Sequence, residues 1–255
     1  DGLGPAKFTI GTLQRMWEGD KSELAALVLR QLVADCQAHP SQVASDGKTI
    51  NLTSACSALA GYDGTGLLNA KGGWLFSVWS ALDSDQYFYS TPFNTADPLS
   101  TPNGLNLGSA SFPATPLKWL ADAVENLQAH GIPLDASYGQ VQYAPQSRKI
   151  SISGCDTGCF NAIYSSLGTS TSPVSQAPYG QVYDGSSLVM TTQLNPSGPV
   201  SQGILTYSQA SDPTSPWYSN LTRLYAKARW VDLPYTTAEL MKLHPHAALV
   251  LIAPK

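Results

Sequence analysis

Residues 202–230, QGILTYSQASDPTSPWYSNLTRLYAKARW, hold a strand, a turn and a helix in 29 residues. Ile204 to Tyr207 reads as a strand ending at Ser208 and Gln209, because β-branched and aromatic residues flank Leu205 and a polar cluster follows. Asp212-Pro213 and Ser215-Pro216 each fix a proline φ and turn the preceding residue away from helix, so the chain bends twice. Leu221, Leu224, Tyr225 and Ala228 then recur at helical spacing, with Ser219 as N-cap and Lys227 and Arg229 where cations suit the helix dipole.

Upstream, the first half reads as helical. Thr9 caps a helix carrying Leu13, Met16 and Trp17, and Gly19-Asp20 breaks it. A second helix carries an apolar stripe over Leu24, Leu27, Val28 and Leu32 and ends at His39-Pro40. Further helices are expected at Ser54 to Gly61, at Gly73 to about Tyr87 and at Leu117 to His130, stopped by Gly131. Trp74 and Trp79 in the second of these are read as core. Between Ser90 and Pro116 the proline, threonine, serine and glycine leave no periodicity. Phe93, Leu99, Leu105, Leu107 and Phe112 are taken as anchors of an ordered, wrapped loop.

After Pro133 the pattern turns extended, in Gly139 to Tyr143, Lys149 to Ser153, Phe160 to Tyr164, Gln181 to Tyr183 and Leu188 to Gln193. Thr236-Thr237-Ala238-Glu239 has the form of a capping box, and Ala247 to Ala253 of a terminal strand. The class is α+β, with residues 1–133 mainly helical and residues 134–255 mainly strands with C-terminal helices. Asn51-Leu52-Thr53 and Asn220-Leu221-Thr222 fit the glycosylation sequon, a pattern short enough to recur by chance.

With 43% hydrophobic and only 13% charged residues, the 255-residue chain is poor in charge, which points to extensive burial or an obligate partner. A net charge of -4 and the absence of a basic run give no basis for binding nucleic acid. No apolar run has the length of a membrane span, and Asp1-Gly2-Leu3-Gly4-Pro5 lacks a signal-peptide pattern and reads as a processed end.

Cys36, Cys56, Cys155 and Cys159 are an even set without a histidine cluster to suggest zinc. Of three possible connectivities, Cys36 with Cys56 and Cys155 with Cys159 is favoured because each closes a short loop rich in turn residues. Bonded pairs imply an oxidising compartment, whereas four buried thiols would imply a reducing one.

The opening stretch resembles the C-terminal signature of the penicillin acylase family of N-terminal nucleophile hydrolases, in the branch of acyl-homoserine-lactone and aculeacin-type acylases. The resemblance continues through Cys56 to Asp63 (CSALAGYD), Gly73 to Phe76 (GWLF), Gly131 to Asp135 (GIPLD) and Phe160-Asn161, in the order found along the second half of that family's large subunit. It departs at Trp217, Ser219 and Asn220, where family members tend to carry His, Asp and Gln.

The resemblance implies the C-terminal part of an αββα four-layer fold, completed by a small subunit and the N-terminal half of the large subunit. It also implies a small-molecule N-acyl substrate, no cofactor, no metal and a periplasmic or secreted location. In that family the nucleophile is a serine at the N-terminus of the large subunit, using its own α-amino group as base, with an oxyanion-hole asparagine upstream of the matched region. Asp1 cannot replace that serine, since a carboxylate is a weak attacker of amides.

The residues themselves offer no catalytic set. His39, His130, His244 and His246 sit at expected helix ends, and Asp83 with Asp85, and Asp122 with Glu125, read as solvated helix faces. There is no nucleophile elbow, phosphate-binding loop or zinc-protease motif. A non-catalytic binding or structural protein that keeps the fold is the competing reading.

Overall fold

A computed structural model describes residues 8–82, 89–108, 116–168 and 177–243. The order is α1 (Ile10–Glu18), α2 (Glu23–Ala38), β1 (Ser41–Val43), β2 (Thr49–Asn51), α3 (Thr53–Ala60), α4 (Gly73–Ala81), β3 (Tyr89–Thr91), β4 (Asn103–Leu105) and α5 (Pro116–Ala129). It continues with α6 (Tyr138–Val141), β5 (Tyr143–Ala144), β6 (Ser147–Ser151), β7 (Ile163–Ser165), β8 (Val182–Gly185), β9 (Leu188–Asn195), β10 (Gly198–Leu205), α7 (Asn220–Tyr225), β11 (Val231–Leu233) and α8 (Thr237–Leu243). The chain is therefore α+β, with short antiparallel sheets.

The helical half packs around α4. Trp74, Leu75, Phe76, Val78 and Trp79 are all buried, with α4 packed against α3, α5 and α6. Their polar edges are satisfied: Trp79 Nε1 donates to the Pro116 carbonyl at 2.9 Å and Trp74 Nε1 to Tyr179 Oη at 3.0 Å. Burying a side chain of this size contributes roughly 2–3 kcal/mol each. The stripe of α2 runs through Ala25, Val28, Leu32 and Cys36, with Leu24 and Leu27 half-buried beside it. Asp122 and Glu125 do more than face water. Asp122 accepts from the Ser45 N–H and hydroxyl at 2.6 Å, and Glu125 pairs with Lys48 at 3.2 Å, so α5 is tied to the β1–β2 hairpin.

Two expectations fail on competing local chemistry. Gly139 to Val141 belongs to α6 instead of a strand, because Ser137 and Gln140 form a capping box that closes one helical turn. In the loop before α5, Phe93 (60% exposed), Leu99 (98%) and Leu107 are not anchors; Leu105 alone of the described ones is buried. The loop is held by polar bonds instead: Thr101 Oγ1 donates to the Asp97 carbonyl, and the Leu105 N–H donates to Gln31 Oε1, at 2.6 and 2.5 Å. The helix expected to reach about Tyr87 ends at Ala81 with Leu82 as its C-cap. Phe112, residues 83–88 and the strand expected at Ala247 to Ala253 lie outside the described residues.

In the second half, β9 and β10 form a hairpin of two eight-residue strands, and β11 adds to its β10 edge. The strand expected at Ile204 is the end of β10. Alternation gives this sheet two faces. On the inner face Gln14 of α1 donates to Thr191 and Gln202, and Val189 and Ile204 join Trp17 in a second core with Ile150, Ile152, Ile163 and Val182. On the outer face Leu188, Met190 and Leu194 are 61%, 59% and 85% exposed, with Leu205 and Pro199 opposite them and Val231 on the next strand. Among the described residues, α8 stands beside Pro199, Ser201 and Leu233, and Leu188, Met190 and Leu194 remain exposed on that face.

Candidate functional site

The two cores meet where the α1–α2 turn, the loop between β6 and β7, and α7 converge. Gly19 ends α1, and Asp20 follows with φ +48, a left-handed conformation that non-glycine residues adopt at a cost of about 1 kcal/mol. Ser22 then caps α2, its Oγ accepting from the Ala25 N–H at 3.1 Å and donating to the Thr157 carbonyl at 2.6 Å. The Glu23 N–H reaches the Gly158 carbonyl at 3.2 Å, so the loop over residues 155–159 covers the helix N-terminus.

Cys155 and Cys159 are bonded to each other across that loop, with Cα atoms 5.3 Å apart, and Cys36 is bonded to Cys56, joining α2 to α3 at 5.6 Å. The junction leaves no space at Gly66. Its N–H donates to the Asp20 carbonyl at 2.8 Å, and a Cβ there would lie 2.9 Å from the Gly154 backbone and 3.0 Å from Asp20 Oδ2.

Asn161 follows the loop and is 1% exposed. Its Nδ2 faces Tyr225 Oη at 2.6 Å, the Ser153 carbonyl at 3.1 Å and Asp20 Oδ2 at 3.5 Å, while its N–H donates to Asp20 Oδ1 at 3.3 Å. Tyr225 Oη in turn donates to the Ser153 carbonyl at 3.1 Å. Burial drives the Asp20 carboxyl up from 3.8 to about 7, with the two Asn161 hydrogen bonds opposing it. The Tyr225 hydroxyl is likewise pushed up by burial. Asp156, inside the disulfide loop, is raised to about 6 by burial.

Tyr225 is placed by α7, and Ser219 holds the N-cap position as expected but makes no side-chain capping bond. Its Oγ accepts from Arg223 Nε, and the Thr222 N–H donates instead to Ser208 Oγ at 2.9 Å. The helix also ends before Ala228, which turns left-handed at φ +49. Trp230 is thereby brought edge-on to Trp17 at 5.5 Å, and its Nε1 donates to Glu18 at 2.8 Å. A pocket of about 370 Å³ opens at this junction, lined by Trp17, Asp20, Leu67, Asn161, Tyr225 and Lys227 among others.

His39 and His130 bond within their own helix ends, to Asp35 and to the Asn126 carbonyl, and neither faces a nucleophile. His244, His246, Asp83 and Asp85 lie outside the described residues. Among the described residues no three His, Cys, Asp or Glu side chains are placed to hold a metal. At the departing positions, Trp217 is 62% exposed and Asn220 Oδ1 is buried without a partner. Sequence reading passed over Asp20 and Gln142. The signal at Asp20 was a charged residue in a tight break between two apolar helices. Gln142 donates to the Ile152 and Gly154 carbonyls at 2.8 and 2.9 Å, and its position inside an alternating run hid that role.

Residues 3–242 match the sequence profile of the family described as penicillin amidase. The chain belongs to the penicillin amidase family. Aculeacin-A acylase of Actinoplanes utahensis is 34% identical over 243 residues, which are 94% of this chain and 29% of that protein. Acyl-homoserine lactone acylase PvdQ of Pseudomonas putida is 27% identical over 256 residues, 98% of this chain and 30% of that protein. The chain thus spans under a third of the length of these penicillin amidase relatives, and both carry the name of an acylase.

Proposed function

We propose that this chain is the C-terminal part of the large subunit of a secreted or periplasmic acylase that hydrolyses the amide bond of N-acyl substrates such as N-acyl homoserine lactones or lipopeptides. The nucleophile is an N-terminal serine on a complementary chain, and this chain's role is to build the scaffold around it. The observation that carries the reading is the two-faced β9–β10–β11 sheet in a chain that covers under a third of its acylase relatives. A helix already covers the inner face, and an outer face that exposes Leu188, Met190 and Leu194 among the described residues is what one half of an αββα sandwich presents before its second sheet is added.

This assigns the covering role to the outer face of the sheet. The Leu24 to Leu32 stripe of α2 is taken up by α3, α5 and β4 of the same chain. The bonded cysteines and the lack, among the described residues, of a helix long and apolar enough to cross a membrane agree with an oxidising location.

Intact-mass and N-terminal sequencing of natively purified material tests the reading. Complementary chains, one beginning with serine, should co-purify. A folded, soluble, monomeric 27.1 kDa chain with no companion would refute it.

A further inference from the structure

The pocket between α1, α7 and the loop after β6 is unusual in its balance of donors and acceptors. Asp20 and Asn161 are each 1% exposed, and both line it. Asn161 Nδ2 has two hydrogens for three oxygens in reach, the Ser153 carbonyl, Tyr225 Oη and Asp20 Oδ2. That fixes the amide orientation, since the opposite one would set a carbonyl oxygen against the Ser153 carbonyl and the Asp20 carboxyl. Asn161 Oδ1 is then left buried with no donor. The bonds Asp20 receives from Asn161 are long, at 3.3 and 3.5 Å. So the site holds a surplus of acceptors, a left-handed non-glycine residue at Asp20 and an aromatic wall of Trp17 and Tyr225, which meet edge-on at 5.7 Å.

Orphaned buried acceptors call for a donor. Calcium and magnesium need six or more oxygens and zinc four N, S or O ligands, and the described residues bring no three carboxylate, histidine or cysteine ligands together. A primary ammonium fits better: three donors on a compact charge, attracted both by a carboxylate and by aromatic faces. A volume of about 370 Å³ suits a small molecule of this kind. We propose that this pocket binds a small primary amine as its ammonium ion, held by Asp20 and Asn161 Oδ1, with the carbon skeleton against Trp17 and Leu67.

The charged and titratable groups that line or act on the site are Glu18 from α1, Lys227 after α7, and the Tyr225 and Tyr62 hydroxyls. Lys227 carries the same ammonium group and is the internal competitor. Because the Asp20 carboxyl titrates at about 7, binding releases its proton and strengthens as pH rises through that value.

The test is calorimetric titration of the 255-residue chain, and of its Lys227→Met variant, with benzylamine and with benzyl alcohol as the uncharged isostere. The expected result is saturable one-site binding of the amine alone, weaker at pH 5.5 than at pH 8 by roughly thirtyfold for a single proton. Asp20→Asn, which tolerates the left-handed backbone, should abolish it. No binding at pH 8 to either background overturns the proposal. So does equal binding of amine and alcohol, or the same affinity at both pH values. The pH comparison decides the matter even if Asp20→Asn fails to fold.

Discussion

Replacing Asp20 with asparagine isolates the energetic cost of the buried carboxyl. The side chain is 1% exposed, and burial raises its pKa from 3.8 to about 7. A rise of that size is worth roughly 4 kcal/mol, since each tenfold change in proton affinity is about 1.4 kcal/mol. The folded chain binds this proton more tightly than the unfolded chain. Its stabilising effect is therefore complete below about pH 4, declines as pH rises toward 7, and is absent above. Asparagine keeps an acceptor for the Asn161 N–H and does not titrate. The wild type should thus lose up to about 4 kcal/mol relative to Asp20→Asn between pH 4 and pH 7.5. Asp156 titrates in the same range but is common to both proteins and cancels. Guanidinium unfolding followed by tryptophan fluorescence across that range reads the difference directly. A stability gap that stays constant from pH 4 to pH 7.5 would refute the assignment of a raised pKa to Asp20.

Other perturbations follow from single contacts. Loop-closure entropy assigns about 3 kcal/mol to the Cys36–Cys56 bond and about 2 kcal/mol to Cys155–Cys159, whose partners are 20 and 4 residues apart. Paired alanine replacements should rank in that order in denaturant, and a non-reducing peptide map should recover both pairs. Ser208→Ala removes the side-chain acceptor of the Thr222 N–H and should cost about 1 kcal/mol by the same unfolding assay, whereas Ser219→Ala should cost little. Gly66→Ala sets a methyl against the Gly154 backbone, which cannot yield as a side chain would, and should cost about 1–3 kcal/mol, read as a lowered thermal midpoint.

What the sequence made legible was set by periodicity and punctuation. Thr9, Gly19-Asp20 and His39-Pro40 mark the limits of α1 and α2 because capping and proline are local effects. The Trp74 and Trp79 helix is core, in keeping with packing as the commonest use of such a stripe. The family resemblance was likewise carried by extended motifs. What escaped was decided at long range. Ser208 and Ser219 look alike in the sequence, and only the return of the chain from β10 lets the former reach the N-terminus of α7. Leu99 and Leu107 have the composition of anchors, yet side-chain bonds from Gln31, Thr101 and Asn103 hold that loop, leaving them exposed. Asp20, Asn161 and Tyr225 lie up to 205 residues apart, so no local pattern unites them.

Hydrolysis of N-acyl substrates by this chain, alone and after addition of its complementary chains, tests the central proposal most directly. Long-chain and short-chain N-acyl homoserine lactones and a penicillin are the substrates, and release of the free amine is the readout. The account predicts no turnover by the chain alone and turnover once a chain beginning with serine is supplied, because an N-terminal nucleophile needs its own α-amino group and preorganised oxyanion donors. Turnover by the lone chain, abolished by replacing a serine, histidine or aspartate within it, would contradict the account.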